Sequence, residues 1–305
     1  MKDGTRSFYE VVVREAVARI ASSLDDALDL AALSKKAALS PLHFHRIFRG
    51  LVGETPLEVH RRLRLERAAH RLATTDLAVT SLAFDAGYET HESFTRAFTA
   101  AFGVAPSVFR QSGREEGALC RPPQIELAAR SGLHFRPSGV TEFHFTKGAH
   151  AMNVDIETLP AMRVGVVHHT GPYGRISEAF ARLGEIAGVN GLFAHPGAKM
   201  LGVYHDDPES TPANELRSDA GIVVPDDVEL PAGLDEVRLP AGRYAKTIHR
   251  GPYTGLGDAW SSFMGSWLPA SGHRIGEGTP FEVYASPQAT TPPADLVTEL
   301  YLPLA

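Results

Sequence analysis

The chain has 305 residues, 43% of them hydrophobic, with 30 Lys+Arg against 36 Asp+Glu and a single cysteine. That length and apolar content suit about two packed domains, and Cys120 alone excludes an internal disulfide framework. No stretch approaches the ~20 apolar residues of a membrane span, and the start of the chain lacks the apolar run of a signal peptide, so a cytoplasmic protein without a membrane partner is expected.

Residues 1–112 carry 15 Lys+Arg against 13 Asp+Glu, a balance of +2, whereas the remainder carries 15 against 23, a balance of −8. A mildly basic part joined to an acidic one suits a nucleic-acid reader attached to a second module, although +2 by itself is common.

Residues 7–111 read as consecutive short helices. Ser7 to Ala21 keeps Phe8, Val11, Val12 and Ile20 at helical spacing, and Leu28 to Ala37 forms a second helix. The third starts with Ser40 as N-cap and Pro41 at the first helical position, and stops at Gly53. Thr55-Pro-Leu-Glu58 is a capping box that opens a long helix to about Ala73. Helices at about 79–86, 90–102 and 106–111 complete the region. Residues 113–151 have linker composition, with short strands expected at Leu133–Phe135 and Phe143–Thr146.

From Met152 the period changes to that of strands. Runs appear at 154–157, 163–170, 201–204, 222–224, 244–249, 281–285 and 296–302, with two intervening helices at about 174–187 and 255–268. His169-Thr-Gly-Pro-Tyr173 recurs as His249-Arg-Gly-Pro-Tyr253, each copy ending a strand and opening a helix. The repeat implies a duplicated strand–helix–strand half and an α+β domain with an antiparallel sheet.

A second repeat lies in the helical part. Ser40-Pro-Leu-His-Phe-His-Arg-Ile-Phe-Arg49 aligns with Thr90-His-Glu-Ser-Phe-Thr-Arg-Ala-Phe-Thr99, matching Phe44 to Phe94, Arg46 to Arg96 and Phe48 to Phe98. Phe44, Ile47, Phe48 and Leu51 form one apolar stripe, which leaves Leu42, His43, His45, Arg46 and Arg49 on the rest of that helix. In the second copy Phe94, Ala97, Phe98 and Ala101 are core and free His91, Glu92, Thr95 and Arg96. Two such helices preceded by supporting helices fit a pair of helix-turn-helix motifs entering successive major grooves of double-stranded DNA.

Arg46 and Arg96 suit bidentate contact with guanine, Glu92 suits cytosine, and His45, His91 and Thr95 suit single hydrogen bonds. The long helix, about 18 residues and hence ~27 Å, is the spacer. Its Arg61–Arg71 stretch, Arg64 included, suits phosphate contacts that set register, or equally a solvated face paired with Glu58 and Glu66.

Residues 8–111 resemble the AraC/XylS-type DNA-binding domain, on Ala38-Leu-Ser-Pro-x-His-Phe-x-Arg-x-Phe48, Ala86-Gly-Tyr-x-x-x-x-Ser-Phe-x-Arg-x-Phe98 and Phe102-Gly-x-x-Pro106. The resemblance implies seven helices with two helix-turn-helix motifs, and an operator read by Leu42, His45 and Arg46 together with His91, Glu92, Thr95 and Arg96. Apolar Leu42 and acidic Glu92 depart from a purely basic reader.

Residues 152–305 resemble the GyrI-like (gyrase-inhibitor-like) small-molecule-binding domain, on the two His-x-Gly-Pro-Tyr copies, Leu239-Pro-Ala-Gly-Arg-Tyr-Ala, Pro280-Phe-Glu-Val-Tyr284 and Leu296-Val-Thr-Glu-Leu-Tyr-Leu-Pro. It implies a pseudo-twofold domain with a pocket for apolar or cationic aromatic effectors. Strand alternation puts Glu282 and Tyr284 on one face and Phe281 and Val283 on the other. A carboxylate beside rings can hold a cation. Trp260, Tyr173, Tyr204 and Tyr253 are candidate walls, and Glu299 with Tyr301 rivals Glu282.

The histidines do not make a metal site: His43 and His45 diverge on a helix, and His168 and His169 face opposite sides of a strand. No motif calls for a cofactor or a catalytic nucleophile, and binding to a protein such as gyrase has no residue pattern behind it. The sequence therefore describes a multi-domain chain: an all-α DNA reader at 1–112, a linker at 113–151 and an α+β effector domain at 152–305. A transcription regulator, not an enzyme, is expected, with DNA, an effector and RNA polymerase as partners. The alternative is a C-terminal hydrolase using Glu282 as base.

Overall fold

The computed structural model describes residues 2–116, 123–145, 152–206, 208, 211–287 and 290–305. Cys120 and the end of the strand expected at Phe143–Thr146 lie outside them. The chain divides into two compact units, one mainly Ser7–Gly148 and the other mainly Ala149–Ala305.

The first unit contains α1 (Lys2–Ser22), α2 (Leu30–Lys36), α3 (Pro41–Val52), α4 (Pro56–Thr74), α5 (Val79–Asp85), α6 (His91–Phe102), α7 (Pro106–Glu116), α8 (Pro123–Ala128) and a hairpin of β1 (Phe135–Arg136) and β2 (Gly139–Val140). The capping box holds: the Glu58 N–H donates to Thr55 Oγ1 at 3.2 Å and the Thr55 N–H to Glu58 Oε2 at 2.8 Å. Phe94, Phe98 and Phe102 of α6 are buried with Phe109 of α7 and Leu72 of α4, and Phe98 stacks on Phe102 at 4.4 Å. This packing fixes α6 by its apolar stripe and leaves the other side to solvent.

Two expectations need correction. Residues 123–145 are not a linker, because they are built into the helical unit. Leu133 and Ser131 are fully buried, and Arg62 of α4 donates to the Leu133 carbonyl at 2.8 Å. Nor is the arginine-dense face of α4 simply solvated. Arg64 donates to the carbonyls of Leu24 at 2.5 Å and Asp26 at 2.7 Å, Arg67 pairs with Asp25 at 2.7 Å, and Arg71 with Asp85 at 2.8 Å. These side chains clamp the α1–α2 turn and the end of α5 onto α4. Arg64 thus has a structural employment in place of the expected phosphate. Gly87 (φ +80°) depends on it too, since a Cβ there would come within 2.2 Å of the Arg64 guanidinium.

His60 on α4 is buried, and burial, reinforced by the charge of Arg64, pulls its imidazole down to about 4 from the usual 6.5. Between those values the unfolded chain binds a proton that the folded one refuses, so stability falls on acidification through this window. Thermal unfolding of the helical unit is expected at a lower temperature at pH 5 than at pH 7, with the difference reduced in His60→Gln; identical pH dependence in both would refute the assignment.

The second unit runs β3 (Val154–Leu159), β4 (Met162–Thr170), α9 (Ser177–Val189), β5 (Met200–Tyr204), β6 (Arg217–Val224), β7 (Asp235–Leu239), β8 (Gly242–Arg250), α10 (Leu256–Ser262), α11 (Leu268–Ser271), β9 (Phe281–Tyr284) and β10 (Val297–Leu304). A π-helical turn at Phe263–Trp267 joins α10 to α11. The eight strands form one antiparallel sheet in the order β3-β8-β10-β9-β5-β6-β4-β7. β7 went unread in the sequence.

The strand order is palindromic and the register repeats. Val164↔Val223 of β4–β6 recurs as Tyr244↔Pro303 of β8–β10, and Gly202↔Ala220 of β5–β6 as Glu282↔Leu300 of β9–β10, each number raised by 80. The duplication expected from Gly-Pro-Tyr is therefore present strand by strand. The halves also exchange their first strands: β3 pairs with β8 and β7 with β4, through the equivalent pairs Glu157↔Tyr244 and Val237↔Val164. In each Gly-Pro-Tyr copy the histidine ring sits against the proline carbonyl, His169 Nε2 3.3 Å from Pro172 O and His249 Nε2 3.1 Å from Pro252 O. The intervening Gly171 and Gly251 have φ of +137° and +123°, which explains why glycine is needed there.

Among the described residues no helix is long and apolar enough to cross a membrane, and no group of three His, Cys, Asp or Glu could hold a metal ion.

Candidate functional sites

β5 and β9 meet at the centre of the sheet, and their central pair is Gly202↔Glu282. Because these two positions are equivalents under the offset of 80, the internal twofold passes through this pair. One half contributes a carboxylate there and the other no side chain at all.

Glu282 is 3% exposed. Two uncharged donors meet it: Trp260 Nε1 of α10 donates to Oε1 at 2.7 Å and the Tyr284 hydroxyl to Oε2 at 2.8 Å. The Tyr284 hydroxyl lies 2.9 Å from that of Tyr204, its symmetry equivalent on β5. Tyr173 lies edge-on to Tyr204 at 4.9 Å, and Tyr253 to Tyr284 at 5.4 Å, so the two halves supply matched pairs of rings. Burial first, and the adjacent Glu282 charge second, hold the Tyr284 phenol well above its ordinary value, while the same two causes raise Tyr253 to a lesser degree. The Tyr284 phenol therefore stays protonated and donates to Glu282.

All six residues named from the sequence therefore converge, but their parts differ. Trp260, 2% exposed, anchors the carboxylate from behind; the four tyrosines are half-buried walls. The Tyr173 hydroxyl is spent on backbone, donating to the Asp206 carbonyl at 2.7 Å and accepting from the Asp206 N–H at 2.9 Å. The rival carboxylate is elsewhere. Glu299 pairs across from Val283 and so shares the opposite face of the sheet, where Lys246 meets it at 2.8 Å and Tyr301 donates to it at 2.8 Å.

Sequence reasoning missed two members of the site. Phe180 on α9 lies edge-on to Tyr284 at 5.2 Å, one position along from the buried Ala179, and only the helix packing reveals it. Gly202 makes room for the Tyr284 hydroxyl, because a Cβ there would stand 2.8 Å from it. Its signal was available in the offset of 80 from Glu282. Gly202→Ala is expected to push Tyr284 off Glu282 and to cost about 1–3 kcal/mol, the range of an overpacked site. Chemical denaturation checks the cost, and a shift below 0.5 kcal/mol would show that Tyr284 moves freely.

The helical unit presents its two repeat helices unequally. On α6, His91, Glu92 and Arg96 are exposed, while the Thr95 Oγ1 is buried without a hydrogen-bond partner among the described residues. On α3, His45 is buried at 7% exposure, contrary to the outward orientation expected. For His45 the reason is a wider apolar stripe: it flanks Phe48 and the fully buried Val52. His43, Arg46 and Arg49 are half-buried. Thr90 caps α6, accepting from the Ser93 N–H at 3.1 Å, and this sets His91 and Glu92 in the first turn.

The helical unit and the twofold sheet unit each have relatives among known proteins. Residues 152–305 match the GyrI-like small molecule binding domain and residues 33–112 a helix-turn-helix domain. A DNA gyrase inhibitor from Erwinia billingiae is 32% identical over 161 residues, covering 50% of this chain and 98% of that protein. The HTH-type transcriptional activator AarP of Providencia stuartii is 31% identical over 105 residues, 34% of this chain and 78% of that one. Among solved structures the EcmrR C-terminal domain aligns with a TM-score of 0.41 and 20% identity, over 51% of this chain and 99% of that chain. The chain belongs to the GyrI-like family, carries an AraC-type helix-turn-helix domain at its N-terminus, and is a DNA-binding transcription regulator.

Proposed function

We propose that α3 and α6 read an operator, and that an aromatic cation bound against Glu282 modulates the outcome at the promoter, where RNA polymerase is the partner. The observation that carries the effector half is a fully buried carboxylate met by indole and phenol donors and ringed by tyrosines. A negative charge in an apolar, aromatic enclosure favours a cation that is itself apolar, since charge and ring faces act together. Binding rather than catalysis is favoured because both oxygens of Glu282 already accept strong hydrogen bonds, which lowers their readiness to abstract a proton. Operator affinity and transcription measured with and without tetraphenylphosphonium test the coupling; saturable binding that changes neither would end it. Turnover of a bound compound, lost in Glu282→Gln with binding retained, would establish the hydrolase instead.

For the DNA half, exposed Arg96 is the strongest base-reading candidate. Arg96→Ala is expected to cost ~1–3 kcal/mol on the cognate site and to relax preference at one base pair. Equal losses on cognate and random DNA would reassign it to phosphate. The burial of His45 gives α3 less to read with, so the sharper half-site preference is expected under α6.

A further inference from the structure

The helical unit holds a cleft unconnected with either helix face discussed above. It has a volume of about 430 Å³ and lies between the α1–α2 turn, the C-terminal half of α4 and the β1–β2 hairpin. Arg67, Arg71 and Arg136 line it against the single carboxylate of Asp25, with His70 and Phe135 as ring walls whose centroids are 6.1 Å apart. His70 Nδ1 is buried without a hydrogen-bond partner, and Arg136 is exposed and unpaired among the described residues. A concave site of this volume, with an excess of guanidinium groups, an unsatisfied ring nitrogen and an aromatic wall, asks for a small organic anion.

We infer that this cleft binds an aromatic carboxylate, its anion on Arg136, Arg67 and Arg71 and its ring beside Phe135. The site is distinct from Glu282 in position and opposite to it in charge preference. Its consequence follows from what the arginines already hold. Arg67 pairs with Asp25 in the α1–α2 turn and donates to the Asp85 carbonyl at 3.0 Å, and Arg71 pairs with the Asp85 carboxylate. Asp25 and Asp85 belong to the supporting parts of the first and second reader. A ligand carboxylate competing for these arginines would loosen both from α4, giving the DNA-reading unit an input of its own.

Calorimetric titration of the full chain with 1-naphthoate tests this, with 1-naphthylmethylamine and inorganic phosphate as controls. Saturable naphthoate binding is expected with a Kd on the order of 1 mM or tighter, as suits a ligand of this size, and none by the amine. Arg136→Ala should weaken it about tenfold, the loss of one charge-assisted contact. Asp25→Asn should strengthen it, because it removes the internal competitor for Arg67. Both substituted side chains are exposed, so folding is retained. Glu282→Gln should leave it unchanged. Absence of saturable naphthoate binding, equal affinity for phosphate, weakening by Asp25→Asn, or sensitivity to Glu282→Gln would each overturn the inference. So would a loss of affinity for random DNA with a shallower salt dependence in Arg136→Ala, which would make the cleft a seat for the DNA backbone.

Discussion

Replacing Arg62 with alanine will cost the helical unit about 3–5 kcal/mol, the range measured when one partner of a buried ion pair is removed. The guanidinium forks onto Glu54, with Nε to Oε1 and Nη2 to Oε2 both 2.7 Å, and reaches Glu66 Oε1 at 2.6 Å. The three side chains are 5–8% exposed. Burial alone would push the Glu66 carboxyl up, but hydrogen bonding from His134 and the charge of Arg62 hold it below the usual carboxylate range. Without Arg62 the stranded carboxylates accept protons more readily, so the deficit should shrink as pH falls from 7 to 5. Denaturant unfolding at both pH values measures it. Arg62→Lys keeps a charge but not the fork, and should recover only part. A deficit under 1 kcal/mol for Arg62→Ala would mean the network relaxes around the gap. The loss should also free residues 123–145, since Arg62 and Glu66 hold Leu133 O and the Phe135 N–H at 2.8 Å each.

Glu282→Ala is expected to destabilise the sheet unit by about 1–3 kcal/mol, because it leaves the buried Trp260 Nε1 without its acceptor, while the Tyr284 hydroxyl keeps that of Tyr204. Glu282→Gln keeps the volume and one carbonyl oxygen, so its stability cost should be roughly half or less. Its binding effect is the informative part. Loss of the charge should weaken an aromatic cation at least tenfold, about 1.4 kcal/mol, and leave an uncharged aromatic of the same shape unaffected. Equal weakening of both would show that Glu282 shapes the enclosure without acting through charge.

Legibility in the sequence tracked how local the physics is. The capping box at Thr55, the alternation of Phe281-Glu-Val-Tyr284 and the two Gly-Pro-Tyr turns depend on neighbours a few positions away, and all were readable. β7 was not, because Asp235-Glu-Val-Arg-Leu239 buries only its last residue and so carries little apolar signal. The arginines of α4 were misjudged for a different reason: composition gives their number, but Arg62 also reaches the Leu133 carbonyl and the partners of Arg64 and Arg67 lie in the α1–α2 turn, far away in sequence. Residues 123–145 carry no sustained helical or strand period, yet four buried apolar side chains, Ile125, Ala129, Leu133 and Phe145, anchor them. The candidate effector site lay in between, with six members legible by resemblance and alternation, Gly202 legible in principle through the offset of 80, and Phe180 only from packing.

The position of Glu282 on the internal dyad bears on how such a domain can exist at all. Two identical half-length chains associating through this sheet edge would place each on-axis residue beside its own copy, at a cross-strand separation of about 5 Å. Two glutamates there would repel, one would be forced to hold a proton, and two glycines would leave a hole with no charge. In this single polypeptide the two copies have diverged, one keeping the acid and the other giving up its side chain, which leaves room for the Tyr284 hydroxyl that holds that acid.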